Sequence, residues 1–124
     1  MNLDLKNKLS FREEHSFKKR KSEADRILKK YPDRIPVIIE KSKNNSSLLN
    51  IDKHKFLVPS DLTLGQFSFV IRSRLKLDSN QAMFLFINNK ILPTASLICQ
   101  IYKDEKDKDG FLYAEYSGEN CFGY

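Results

Sequence analysis

The segment Thr63-Leu-Gly-Gln66 places the tightest constraint on how this chain folds. A Thr followed three residues later by Gln is a capping-box pattern, in which each side chain accepts the other residue's backbone N–H and a helix starts. Behind it, Leu64, Phe67, Val70, Ile71 and Leu75 trace one apolar stripe at helical spacing. Two short strand-like runs flank this helix. Lys55-Phe-Leu-Val-Pro59 precedes it and ends on a proline, which suits an edge position because proline cannot donate to a sheet ladder. Ala82-Met-Phe-Leu-Phe-Ile87 follows, apolar throughout, as a strand buried on both faces would be. A helix with one apolar stripe, held between such strands, is expected to lie across their sheet.

The rest of the chain extends this scheme. Leu3, Leu5, Leu9 and Phe11 suggest a short helix or ordered arm over residues 1–12. From His15 to Lys30, Phe17, Ala24, Ile27, Leu28 and Tyr31 share one face of an amphipathic helix, which Pro32 ends. Ile35-Pro-Val-Ile-Ile-Glu40 reads as a strand that forms a hairpin with residues 55–59 across the polar loop at 42–47. Asn88-Asn89-Lys90 reads as a turn. Thr94 then opens a helix over Ala95–Tyr102, and Phe111–Tyr116 is the last strand. After the two N-terminal helices the order is β-β-α-β-α-β. One sheet crossed by a helix satisfies it, which is the ubiquitin-like β-grasp arrangement. The expected architecture is therefore α+β: an N-terminal helical extension at 1–30, a β-grasp core at 31–116, and a flexible tail at 117–124. At 124 residues the chain is expected to form one compact domain with a core of its own.

Most chemical functions find no support in the residues. The two histidines, His15 and His54, stand near no nucleophile arrangement, and no metal-ligand spacing occurs. Glu105-Lys-Asp-Lys-Asp-Gly110 imitates the start of a calcium loop. The twelfth position is Tyr116 rather than the required Glu, so a charged turn is the better reading. Neither a phosphate-binding loop nor interleaved aromatic and basic residues are present, so no nucleic-acid partner, cofactor or metal is expected. Two cysteines, Cys99 and Cys121, and no apolar leader point to a reducing, cytoplasmic setting. The net charge of +6 is concentrated: residues 1–30 hold ten Lys/Arg against five Asp/Glu. Such a basic face is either a solvated helix surface or a meeting place for anionic partners.

Two features are left to explain. The strand Lys55–Pro59 is apolar on both faces, as an ordinary buried strand would be, and as an edge that accepts a peptide would be. The tail Cys121-Phe122-Gly123-Tyr124 places a glycine next to the last residue given.

Taken in order, FKKRKSEADRI, YPDRIPVIIEK, DKHKFLVP, LTLGQFSFVIRSRL, MFLFINN, LPT, IYKDEKDKDGFLYAEYSGE and the late FG resemble the autophagy ubiquitin-like modifiers, the GABARAP, light-chain-three and autophagy-related-protein-eight family. The resemblance runs from about Phe17 to Gly123. It implies a non-enzymatic modifier, cleaved between Gly123 and Tyr124 by a cysteine protease. Activated by an E1-like enzyme and passed to an E2-like enzyme, Gly123 would be joined to phosphatidylethanolamine. A glycine tail carries no side chain to obstruct enzyme channels. Two acyl chains anchor stably where one does not, so the protein would move from cytoplasm to autophagosome or vacuolar membrane on lipidation.

The resemblance also implies peptide binding. Receptors with an aromatic-x-x-aliphatic motif would add as a strand beside Lys55–Val58. The aromatic pocket would comprise Glu23, Ile27, Pro36, Ile38, Lys55, Leu57 and Phe111. The aliphatic pocket would comprise Phe56, Val58, Pro59, Leu62, Phe67 and Val70. Arg34, Lys55 and Arg74 would meet the peptide's acidic flank. A further family surface around Met83–Ile87 would bind other helical motifs, and these residues are at least equally well read as core. The N-terminus is longer than in short family members, the loop at 44–47 is slightly extended, and Cys121 stands where a small or hydroxylated residue is expected. An unconjugated β-grasp adaptor, in vesicle trafficking or on microtubules, is the alternative.

Overall fold

The structure, a computed structural model, describes residues 9–43 and 48–119. The chain forms α1 (Phe11–Glu14), α2 (Phe17–Lys30), β1 (Arg34–Lys41), β2 (Lys55–Pro59), α3 (Leu64–Arg74), β3 (Phe84–Ile87), α4 (Ile98–Glu105) and β4 (Leu112–Ser117). The four strands make one mixed sheet in the order β2-β1-β4-β3. β1 and β2 pair antiparallel, with Ile35 opposite Val58 and Val37 opposite Phe56. β1 and β4 pair parallel, and β3 runs antiparallel to β4. This is the expected ubiquitin-like α+β arrangement, with helices at the N-terminus.

Alternation along the strands divides the interior in two. Ile35, Val37 and Ile39 of β1 join Phe56 and Val58 of β2 and Leu112, Ala114 and Tyr116 of β4 on one face. α3 and α4 cover that face with Leu64, Phe67, Ile71, Ile98 and Ile101. Ile38 and Phe111 belong to the other face, where Ala24 and Ile27 of α2 and Phe11 of α1 meet them. Leu57 and Tyr113 pack against this second cluster. The N-terminal helices are thus held by their own apolar layer.

Local chemistry sets the helix ends. Ser10 and Glu13 form a capping box at α1, with bonds of 3.2 and 2.8 Å. Ser16 caps α2 by accepting the Lys19 N–H at 3.2 Å. The capping box expected at α3 is present: Thr63 Oγ1 accepts the Gln66 N–H at 3.1 Å, and Gln66 Oε1 accepts the Thr63 N–H at 2.9 Å. α4 departs from expectation. It begins at Ile98, and its N-cap is Leu97, which supplies no side-chain cap. The reason is tertiary. The Ile98 and Cys99 N–H groups donate to the Leu62 and Ser60 carbonyls at 2.8 and 3.0 Å. Main-chain acceptors from before α3 satisfy the donors that a capping side chain would otherwise meet.

The Asn88-Asn89 turn has both residues at positive φ, 51° and 63°, between reciprocal Ile87 and Lys90 backbone bonds. That is the left-handed pair a tight hairpin turn requires, and Asn tolerates it.

Candidate functional site

β2 stands at one edge of the sheet, paired with β1 and, among the described residues, with no other strand. Its side chains alternate between the two apolar layers: Phe56 and Val58 enter the main core, and Leu57 turns to the α2 side. The edge therefore lies at the mouth of both layers.

On the α2 side, the residues expected to form an aromatic pocket come together. Ile27, Ile38 and Phe111 share one buried cluster, with Leu57 packed against it. Pro36 is the cross-strand neighbour of Leu57. Glu23 of α2 and Lys55 of β2 form an ion pair that spans from helix to strand. This pair is partly exposed, so its Coulomb attraction is screened and its main effect is geometric. It ties the rim of α2 to the edge strand.

On the other side, Phe56, Val58 and Phe67 are buried, and Leu62 packs against them. The Phe56 and Phe67 rings meet edge to face at 5.9 Å. Pro59 ends β2, and Val70 of α3 is 40% exposed. The floor of the expected aliphatic pocket is thus closed core, and Leu62, Pro59 and Val70 form its open rim.

The three expected cationic contacts are spread out and engaged. The Arg34 guanidinium donates to the Leu57 carbonyl at 3.2 Å. Arg74 Nε pairs with Asp52 at 3.1 Å. Lys55 is held by Glu23. At Met83–Ile87, Leu85, Phe86 and Ile87 are buried and only Met83 and Phe84 are half-buried, so core packing dominates there. Gly123 and Tyr124, expected to be the conjugation and cleavage positions, lie outside the described residues.

One cluster escaped sequence reasoning. Asp109 is fully buried beneath α2. Its carboxylate accepts from Arg20 Nη1 at 2.7 Å, from the Tyr113 hydroxyl at 2.5 Å and from the Phe111 N–H at 2.8 Å. Burial first, and then the bond to Asp109, push the Tyr113 pKa well above its ordinary value. Next to it, Gly110 has φ of +96°, and a Cβ there would stand 2.9 Å from the Ala24 Cβ. The turn therefore fixes α2 over Phe111, a residue of the expected aromatic pocket that is itself fully buried. The glycine in Asp109-Gly110 was the one available signal of this close approach.

A model of the family described as autophagy protein Atg8, ubiquitin-like, matches residues 19–123. The chain belongs to the Atg8 family. Autophagy-related protein 8e of Arabidopsis thaliana is 58% identical over 113 residues, spanning 91% of this chain and 92% of that protein. Autophagy-related protein 8 of Candida glabrata is 55% identical over 117 residues, spanning 94% and 98%. The crystal structure of Trypanosoma brucei ATG8 superposes with a TM-score of 0.82 at 42% identity, over 90% of this chain and 95% of that one. As an Atg8-family member, the chain is a ubiquitin-like protein of autophagy. Among the described residues, no helix is long and apolar enough to cross a membrane.

Proposed function

We propose that this Atg8-family chain is a conjugated modifier that recruits short peptides to membranes through its β2 edge. A cysteine protease hydrolyses the Gly123–Tyr124 bond. The freed Gly123 carboxylate is activated at the expense of ATP, carried as a thioester by E1-like and E2-like enzymes, and joined as an amide to phosphatidylethanolamine. The two acyl chains then hold the domain at the autophagosome or vacuolar surface. Receptors carrying an aromatic-x-x-aliphatic motif add as a strand beside β2.

The observation that carries the binding half is the position of β2. It is an edge strand whose alternate side chains open onto two separate apolar layers. A peptide strand added there has main-chain partners from the edge, with side-chain recognition on both sides. The conjugation half draws support from family membership and from the matching glycine at 123.

Intact-mass analysis tests that half. Expressed in cells competent for autophagy, the chain is expected to lose Tyr124 and to yield a membrane-bound species heavier than the trimmed chain by one phosphatidylethanolamine less one water. Gly123→Ala is expected to yield neither. A chain that keeps Tyr124, with Gly123→Ala indistinguishable from wild type, would instead identify an unconjugated adaptor.

A further inference from the structure

A groove of about 580 Å³ crosses the outer face of α3. Leu62, Gly65, Phe69 and Val70 form one side, and Thr94 and Ala95 the other. No charged residue lines it. Phe69 is 70% exposed, whereas Phe67, two positions earlier, is 2% exposed. Core packing accounts for Phe67 and leaves Phe69 unexplained.

We propose that this groove holds the residues that follow the aliphatic residue of a bound peptide, and selects an apolar side chain among them. The proposal rests on the reading of β2 as the peptide-binding edge.

Continuity is the first argument. Leu62 and Val70 line this groove and also form the open rim of the aliphatic pocket. Direction is the second. The aromatic pocket gathers around Lys55 and Leu57, and the aliphatic pocket around Val58, Pro59 and Leu62. A motif that reads aromatic before aliphatic therefore runs the same way as β2, and leaves the sheet at Pro59. The next residues, at roughly 3.3 Å each, are delivered over Leu62 into the groove.

Rigidity is the third argument. The far wall is fastened to α3 by backbone bonds, Gly65 N–H to Thr94 O at 2.9 Å and Leu64 N–H to Ser96 O at 2.8 Å. Gly65 allows this approach, because a Cβ there would stand 3.3 Å from both the Thr94 Cβ and its carbonyl oxygen. A preformed groove loses little conformational freedom on binding. Its uncharged lining matches an apolar occupant such as Leu, Met or Phe.

Two synthetic peptides test the proposal by calorimetry. Both carry one acidic-flanked Trp-x-x-Leu core. One continues as Gly-Ser-Gly-Ser, and the other places Leu and Phe in those four positions. Wild type is expected to bind the second about tenfold more tightly, the scale of one partly buried apolar side chain. Phe69→Ser, and separately Ala95→Glu, are expected to abolish that gain while binding the Gly-Ser peptide within about twofold of wild type. Both positions are exposed, so neither change disturbs the core. Equal binding of the two peptides by wild type would overturn the groove and leave the β2 reading standing. Failure of both peptides to bind would overturn the groove and the β2 reading alike. Self-association in sedimentation, lost in Phe69→Ser and accompanied by no gain for the apolar peptide, would assign the face to a second copy and overturn the proposal.

Discussion

Asp109 has no solvent exposure, yet it sits in Lys106-Asp-Lys-Asp-Gly110, which reads in the sequence as a solvated run of charge. Composition cannot separate the buried carboxylate from its exposed neighbours. The difference lies in Arg20, 89 residues away, and in the Tyr113 hydroxyl. Removing Asp109 leaves the partly buried Arg20 guanidinium and the Tyr113 hydroxyl without their shared acceptor. Asp109→Ala is therefore expected to cost about 1–3 kcal/mol in urea unfolding. The substitution also releases α2 from Phe111, so it should weaken binding of the peptide's aromatic residue. Glu115 gives a pH dependence. Burial first, and then the neighbouring Glu40, raise its pKa above the usual carboxylate value. The folded state thus holds this proton more tightly than the unfolded chain does. Glu115 therefore costs the fold nothing below its ordinary pKa, and an increasing amount as pH rises through the raised one. Glu115→Gln is expected to be more stable than wild type at pH 7, with the difference vanishing near pH 3. A constant difference across that range would refute the assignment.

Helix starts show where local sequence suffices and where it fails. The α3 box at Thr63 and Gln66 was legible because both partners lie within four residues. Thr63→Ala is expected to lose about 1 kcal/mol of stability, measured by thermal unfolding. The start of α4 was misplaced at Thr94 because the deciding acceptors, Ser60 and Leu62, lie more than 30 residues earlier. The same limit applies to α1. Phe11 stood out in the sequence only as one of four apolar positions in an arm. In the fold it is 3% exposed, and its ring centroid is 5.3 Å from that of Phe111. The Phe11 N–H donates to Glu40 at 2.8 Å, and Arg12 pairs with Asp107 at 2.7 Å. A one-turn helix is far too short to persist alone, so its placement depends on these distant partners.

At the scale of the whole molecule, the β-grasp order was legible because each strand and helix carries its own period, and few topologies satisfy their sequence. The two apolar layers were less so. Periodicity shows that β2 is apolar on both faces, and it does not show which face meets which helix. Family resemblance named the pocket residues. The sheet order explains why these expected residues gather there, since β2 lies at the edge and its side chains alternate between the two layers. The groove beyond Leu62 stayed hidden because it depends on Thr94 and Ala95 approaching Gly65, a contact between segments 29 or more residues apart. All of this rests on β2 accepting a strand, and amide hydrogen exchange measures that event directly. On saturation with a Trp-x-x-Leu peptide, exchange in residues 55–58 is expected to slow by at least about tenfold, with β3 unchanged, and Leu57→Ala is expected to remove the effect by weakening binding. Peptide binding that leaves residues 55–58 unprotected, or that protects β3 instead, would contradict the account.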